Sequence, residues 1–264
     1  LVGADLSNSN LSNADLSGTT LIGADLSNAI LTGADLTGTV LANANLSGTV
    51  LTDVDISRTV LRGADFTSAN LTGVDLSGLD LSRAIFDRTD LSHSNLADAY
   101  LYRTILAGVA DLTGTVLTGT DISHSNLTGA DLSNKDLTGT VLRGVNLTDA
   151  NITGVDLAGK DLTGAVLKGQ NLSNKDLTGT VFENADLSNS NLSNADLTGA
   201  VLRHTDLTDA NITGVDLAGK DLTGAVLKGQ NLSNKDLTGT VLRGVNLTDA
   251  NITGVDLAGK DLTG

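Results

Sequence analysis

Large apolar residues recur at every fifth position, and the stretch Leu21 to Val40, LIGADLSNAILTGADLTGTV, shows this at Leu21, Leu26, Leu31 and Leu36. Two residues before each of the last three stands a small residue: Ala24, Ala29, Ala34. Asp or Asn usually separates small from large, and Ser or Thr, then Gly or Asn, follow. The unit reads [A/S/T/V]-[D/N]-L-[S/T]-[G/N] from the first residue to the last. This period matches neither the roughly 3.6 residues of a helical turn nor the roughly 2 of a plain strand. It fits a short extended piece followed by a bend. Residues two apart in the extended piece share a face, so Ala24 and Leu26 point inward and Asp25 outward. Ser27 and Asn28 then turn the corner, where Gly and Asn are the tolerant residue types. Repeated around an axis, the pattern predicts a solenoid with stacked Leu and small side chains inside.

Internal duplication sets the length of one coil. Residues 147–181 recur identically at 207–241, a shift of 60, and residues 132–164 recur at 232–264, a shift of 100. Both are multiples of 20, as expected if duplication had to keep whole coils in register. Outward apolar residues at Val40, Val60 and Tyr100 fall on the same 20-residue ladder. Four units per coil is the supported number.

These residues resemble the pentapeptide repeat family, whose A-[D/N]-L-x-x motif is read at Ala4-Asp5-Leu6, Ala14-Asp15-Leu16 and Ala195-Asp196-Leu197. The resemblance covers the whole chain. It implies an all-β fold, a right-handed, quadrilateral parallel β-helix with four pentads per 20-residue coil. Coils stacked one strand spacing apart, ~4.8 Å, would make about 13 coils a rod of about 60 Å. Residues 1–264 are expected to form a single solenoid. Leu1 is already a central residue and Gly264 falls mid-coil, so the chain reads as a segment of something longer or as capped by a partner.

Composition narrows the functional classes. The absence of Pro suits a ladder in which nearly every N–H is used. The absence of Cys removes disulfides, thiol catalysis and Cys-based zinc sites. No apolar run approaches the ~20 residues that span a bilayer, and no signal peptide is visible, so the expected location is cytoplasmic if the N-terminus is complete. A net charge of −15 argues against direct nucleic-acid binding and would suit a basic partner. Asp is, however, the default outward residue of the repeat, so acidity also comes with the fold.

Residues 1–57 hold six acidic residues, Asp5, Asp15, Asp25, Asp35, Asp53 and Asp55, and no Lys or Arg. Five arginines then appear between Arg58 and Arg103, together with Phe66, Phe86, Tyr100 and Tyr102. Both Phe residues stand at central positions and read as core. One step of six, from Leu106 to Leu112, breaks the period, placing a phase shift at 107–111. Gly108 could adopt the positive φ of a bulge there. Tyr100, Tyr102 and Arg103 lie close to it in sequence. Lysine appears only after the step, and six of the eight (Lys135, Lys160, Lys175, Lys220, Lys235, Lys260) occupy the small inward position, as do Gln170 and Gln230. The expected reason is that the stem covers the Leu core while the amine reaches water.

Catalytic chemistry finds little support. Asp ladders such as Asp15, Asp35, Asp55 and Asp75 would put carboxylates ~4.8 Å apart, but the motif produces them anyway and on an open face. His93, His124 and His204 sit at turn positions without a Cys or Glu cluster. No nucleophile elbow, phosphate-binding glycine loop or HExxH occurs. No catalytic residue, metal site or cofactor is expected. The outward feature that the motif does not demand is apolar: Val40, Val60 and Tyr100, then Val141, Val181, Val201 and Val241. Asp80, Asp121, Asp161, Asp221 and Asp261 interrupt that column. It could pack against a protein partner or a second copy, laterally or end to end, or reflect β-propensity on a flat sheet. The chain therefore reads as a non-enzymatic rod-like scaffold, spacer or interaction module. The family resemblance implies an alternative, an acidic mimic of B-form DNA that binds DNA gyrase, with the six N-terminal aspartates as its surface.

Overall fold

The structure, a computed structural model, describes residues 1–108 and 112–263. Its local logic can be followed through one unit, Ala24 to Asn28, in which all five N–H groups have a partner. Ala24 N–H closes a turn on the Leu21 carbonyl at 3.0 Å. Asp25 N–H reaches back to the Ala4 carbonyl at 2.9 Å, and Leu26 N–H reaches forward to Asn45 at 2.8 Å. Asn28 N–H donates forward to Ser47 at 2.7 Å. The remaining N–H, on Ser27, donates to the Asp25 carboxylate at 2.9 Å. A buried or half-buried backbone donor left unmade is costly. The outward Asp or Asn thus takes the one amide for which the ladder has no carbonyl.

The third residue of each turn explains the Gly/Asn alternation. Asn28 has φ 55° and Gly33 φ 69°, the left-handed region that those two residue types tolerate best. Gly33 meets a second demand, because a Cβ there would lie 2.6 Å from the Asn13 side-chain oxygen in the preceding layer. There the Asn13 side chain is accommodated by glycine in the next layer.

Outward residues pair in parallel with the residue 20 positions on, as in Asp5↔Asp25, Asn10↔Ile30, Asp15↔Asp35 and Thr20↔Val40. Each pairing is an isolated bridge, and no longer strand is found among the described residues. The expected β ladder is therefore present, but reduced to one residue per unit: with a turn in every unit, only the outward residue is free to pair. Beyond the step of six, partners lie 21 apart (Asn95↔Val116, Tyr100↔Asp121, Ile105↔Asn126) and return to 20 at Asp121↔Val141. The extra residue is absorbed once and the register on either side survives. Gly108 has φ 65°, the ordinary value for its turn position. The rest of the expected shift, at 109–111, lies outside the described residues.

By its contacts the chain divides into two compact units, Leu1–Val141 with Ala150–Val155, and Leu142–Asp149 with Asp156–Gly264. Each has the same interior. Central residues such as Leu21, Leu26 and Leu31 in the first, and Leu162, Leu167 and Leu172 in the second, are fully buried. Burying such a side chain contributes about 1.5–3 kcal/mol. Phe66 and Phe86 replace two of them in the first unit and stack with ring centroids 5.1 Å apart.

The small inward position carries a second regularity. Where it is Thr, the hydroxyl donates in several layers to the carbonyl of the central residue 23 positions back, Thr39 to Leu16 at 2.9 Å and Thr59 to Leu36 at 2.9 Å. Thr49 and Thr104 instead donate to Leu46 and Leu101 of their own turn, at 2.7 and 2.8 Å. Gln170 and Gln230 also donate 23 positions back, to Leu147 and Leu207, at 2.6 and 2.7 Å. Lysine follows. The Lys260 amine donates to Leu237 at 2.5 Å and Thr240 at 3.1 Å, Lys135 to Leu112 and, at 3.3 Å, Thr115, and Lys235 to Val215 at 2.8 Å. The expectation that these amines escape to water needs correcting for these three. Their side chains are half-buried, and the ammonium groups bond carbonyls of the preceding layer. The buried Ser190 hydroxyl is the exception, without a partner; nothing in the structure explains it.

Candidate interaction surface

Outward positions fall into two chemical kinds. Asp and Asn serve the amide two residues on: Asp5 that of Ser7, Asp15 that of Ser17 and Asp55 that of Ser57, each at 3.0 Å, and Asp35 that of Thr37 at 2.8 Å. Hydrogen bonds from Ser7 and from Ser17, hydroxyl and amide, hold the Asp5 and Asp15 carboxyls below the usual Asp value. At Asp55 the Ser57 amide leads, followed by its hydroxyl. These aspartates are turn-forming groups first. They also do not form one surface. Asp5 pairs with Asp25 in one column and Asp15, Asp35 and Asp55 form another, while Asp53 sits at a turn with φ 58°.

The second kind is apolar and gives up the amide bond. Val40 and Val60 are bridged neighbours, whereas Tyr100 lies between Asp80 and Asp121, and Val141 pairs with Asp121. In the second unit Val181 and Val201 are neighbours, and Val241 pairs with Asp221. Tyr100 is 56% exposed, Val60 42%, Val141 39% and Val241 43%, with Val40, Val181 and Val201 half-buried. The aspartates thus cut the expected column into short segments. Further outward apolar residues, Ile30 beside Val50 and Ile85 beside Ile105, lie in other columns. Their signal was present in sequence as a missing Asp or Asn, but they do not share the 20-residue offset of the chosen column.

A basic corner in the first unit was not assembled from sequence. Backbone bonds from Asn43 to Arg62, Gly63 to Ser82, Arg83 to Tyr102 and Arg103 to Ser123, at 2.9–3.1 Å, set Arg62, Arg83, Arg103 and His124 in successive layers. Arg62 and Arg83 line a shallow groove with Val60, Ala42, Asn43 and Gly63. The Arg103 guanidinium carbon lies 5.1 Å from the Tyr102 ring centre, and Tyr102 meets His124 edge to face at 5.6 Å. The offsets 62, 83 and 103 were legible, but only layer stacking turns them into one patch.

Some other guanidinium groups are committed. Arg143 pairs with Asp161 at 2.9 Å and Arg203 with Asp221 at 3.7 Å, both on the surface, where such pairs contribute little. Burial raises the Asp161 pKa, but Thr163 and Arg143 outweigh it and the net shift is downward. Among the described residues no group of three or more His, Cys, Asp or Glu is placed to hold a metal. No helix among them is long and apolar enough to cross a membrane.

The pentapeptide repeat family model matches eight copies across residues 1–38, 29–67, 69–108, 94–134, 122–159, 161–199, 182–219 and 221–259. No curated protein sequence gives a significant match. Among solved structures, the chain is similar to HetL, a pentapeptide repeat protein involved in heterocyst differentiation regulation in the cyanobacterium Nostoc. The identity is 28% over 97% of this chain and 89% of that one, with a TM-score of 0.41. It is also similar to a trypsin-treated form of QnrB1, a plasmid-mediated fluoroquinolone resistance protein, at 19% identity over 85% and 89%, TM-score 0.29. A pentapeptide repeat protein of the Arabidopsis thaliana thylakoid lumen matches at 30% identity over 46% and 66%, TM-score 0.21.

Proposed function

The chain belongs to the pentapeptide repeat family, and from that premise we propose that it is a non-enzymatic scaffold or interaction module. The proposal includes a right-handed winding with four pentads per coil and about 13 coils, in keeping with parallel bridges at a 20-residue offset. The working surface is the apolar column. The observation that carries this reading is an exchange of chemistry: at Val60 and Tyr100 the chain forgoes the Asp or Asn that serves the following amide, and exposes apolar surface instead. Exposed apolar side chains aligned in one column suit contact with a partner. The partner is a protein or a second copy. Replacing Val60 by Asp and Tyr100 by Asn should leave thermal stability unchanged or raised, while cross-linking from engineered photoreactive positions beside the column is lost. Unaltered cross-linking would overturn the assignment of the surface.

A second reading has its own support. Asp156, Asp176, Asp196, Asp216, Asp236 and Asp256 recur without a break at 20-residue spacing, all exposed. Such a charge ladder, or that of Asp15, Asp35 and Asp55, suits a basic DNA-handling protein such as DNA gyrase. A supercoiling assay at two salt concentrations separates the readings. Salt-sensitive binding with altered supercoiling favours DNA mimicry, and no binding at micromolar protein leaves the scaffold.

A further inference from the structure

We propose that the Arg62–Arg83–Arg103 corner docks onto the Asp15–Asp35–Asp55 ladder of a second copy of this chain, giving open-ended, salt-sensitive self-association. The inference rests on the interaction reading above and names its partner. Four observations support it. First, the three arginines are exposed and, among the described residues, none is ion-paired, unlike Arg88, Arg143 and Arg203. Second, they rise one layer at a time, as shown by the bonds Gly63 to Ser82 and Arg83 to Tyr102, both 2.9 Å. Third, the aspartates rise by the same step, through the bridges Asp15↔Asp35 and Asp35↔Asp55. Both ladders therefore share one axial repeat, ~4.8 Å, and three cations can face three anions in register. Fourth, the Asp ladder lies in residues 1–57, which contain no Lys or Arg to compensate it.

Like charges on adjacent rungs destabilise each ladder by itself, and mutual docking relieves both. Within one chain they do not meet, because the Arg corner and the Asp column lie on different parts of the repeat and no ion pair joins them. Tyr102 adds a rigid aromatic surface held by Arg103 and His124. Tyr and Arg are the residue types that dominate interface energies. Since the two patches differ, the contact is heterologous, and it propagates instead of closing as a symmetric dimer.

The test uses two full-length variants built from residues already found in these columns. One carries Arg62→Ser, Arg83→Asn and Arg103→Asn; the other carries Asp15→Asn, Asp35→Asn and Asp55→Asn, which keeps the turn hydrogen bond. Sedimentation velocity of the wild-type chain in 20 mM salt should show mass rising beyond a dimer with concentration. In 0.5 M salt, where the screening length falls to roughly 4–5 Å, association should weaken on the order of tenfold or more. Each variant alone should remain monomeric, and their equimolar mixture should form a dimer and stop there, since one usable patch remains on each. A monomeric wild-type chain at low salt overturns the proposal while leaving the interaction reading to its own cross-linking test. Association that survives in the arginine variant and in 0.5 M salt also overturns it, and places the contact on the apolar column instead.

Discussion

The first unit and the second meet the same demand with different residues. In the first, the inward position is Ala, Ser, Thr or Val, with one leucine, Leu79, and the single lysine Lys135; in the second it includes Lys160, Lys175, Lys220, Lys235, Lys260, Gln170 and Gln230. Yet Thr59 reaches the Leu36 carbonyl and Gln230 reaches the Leu207 carbonyl in the same relation, 23 residues back. Where this position is polar, a side chain as short as Thr59 or as long as Gln230 can therefore bring a donor to a carbonyl of the preceding layer. The centre differs too: the first unit stacks Phe66 on Phe86, whereas Phe182 of the second sits fully buried with no ring contact among the described residues.

The largest effect should come from the aromatic centres. Phe86→Ala removes a buried ring and its stacking partner and should cost about 3–5 kcal/mol in urea unfolding. Phe182→Ala should cost about 1 kcal/mol less, the part owed to stacking. Equal losses would mean that the Phe66–Phe86 stack adds nothing beyond burial.

Next come the carbonyl donors. Thr59→Val and Gln230→Leu each keep the side-chain volume roughly and remove one donor, so each should cost about 0.5–1.5 kcal/mol. Similar losses in both units would support the equivalence of Thr and Gln at this position, and a loss confined to one unit would break it.

The smallest effect separates lysine from both. Burial pushes the Lys235 ammonium below its ordinary value of 10.5, with Asp216 opposing. The charged form is thus less favourable folded than unfolded. This penalty is full at neutral pH and fades as pH rises through the folded value towards 10.5. Lys235→Thr should therefore raise the melting temperature at pH 7, and its advantage over wild type should shrink by pH 10–11. A gain that does not change with pH would place the cause in packing instead of charge.

Much of this was legible in the chain. The period placed the central Leu residues and the small residues Ala24, Ala29 and Ala34 in the core, and the 20-residue duplications anticipated pairings such as Val40↔Val60. The step between Leu106 and Leu112 appears in the fold as the shift from 20 to 21 at Asn95↔Val116. The apolar column and the aspartates that interrupt it, Asp80 and Asp121 among them, could also be listed by residue.

By itself the sequence determined the repeat, the inward and outward assignments and the family, because a turn closed within a few residues and a side-chain alternation of two are local properties. Tertiary structure decided what a polar inward residue does. A lysine stem next to leucine predicts an amine in water, but the preceding layer offers the Leu237 and Thr240 carbonyls to Lys260 at closer range. It also decided that Arg62, Arg83 and Arg103 form one corner while Asp5 and Asp15 belong to separate columns. Contacts between layers join residues 18–24 apart, and which of these meet depends on the stacking register, a property no single unit carries.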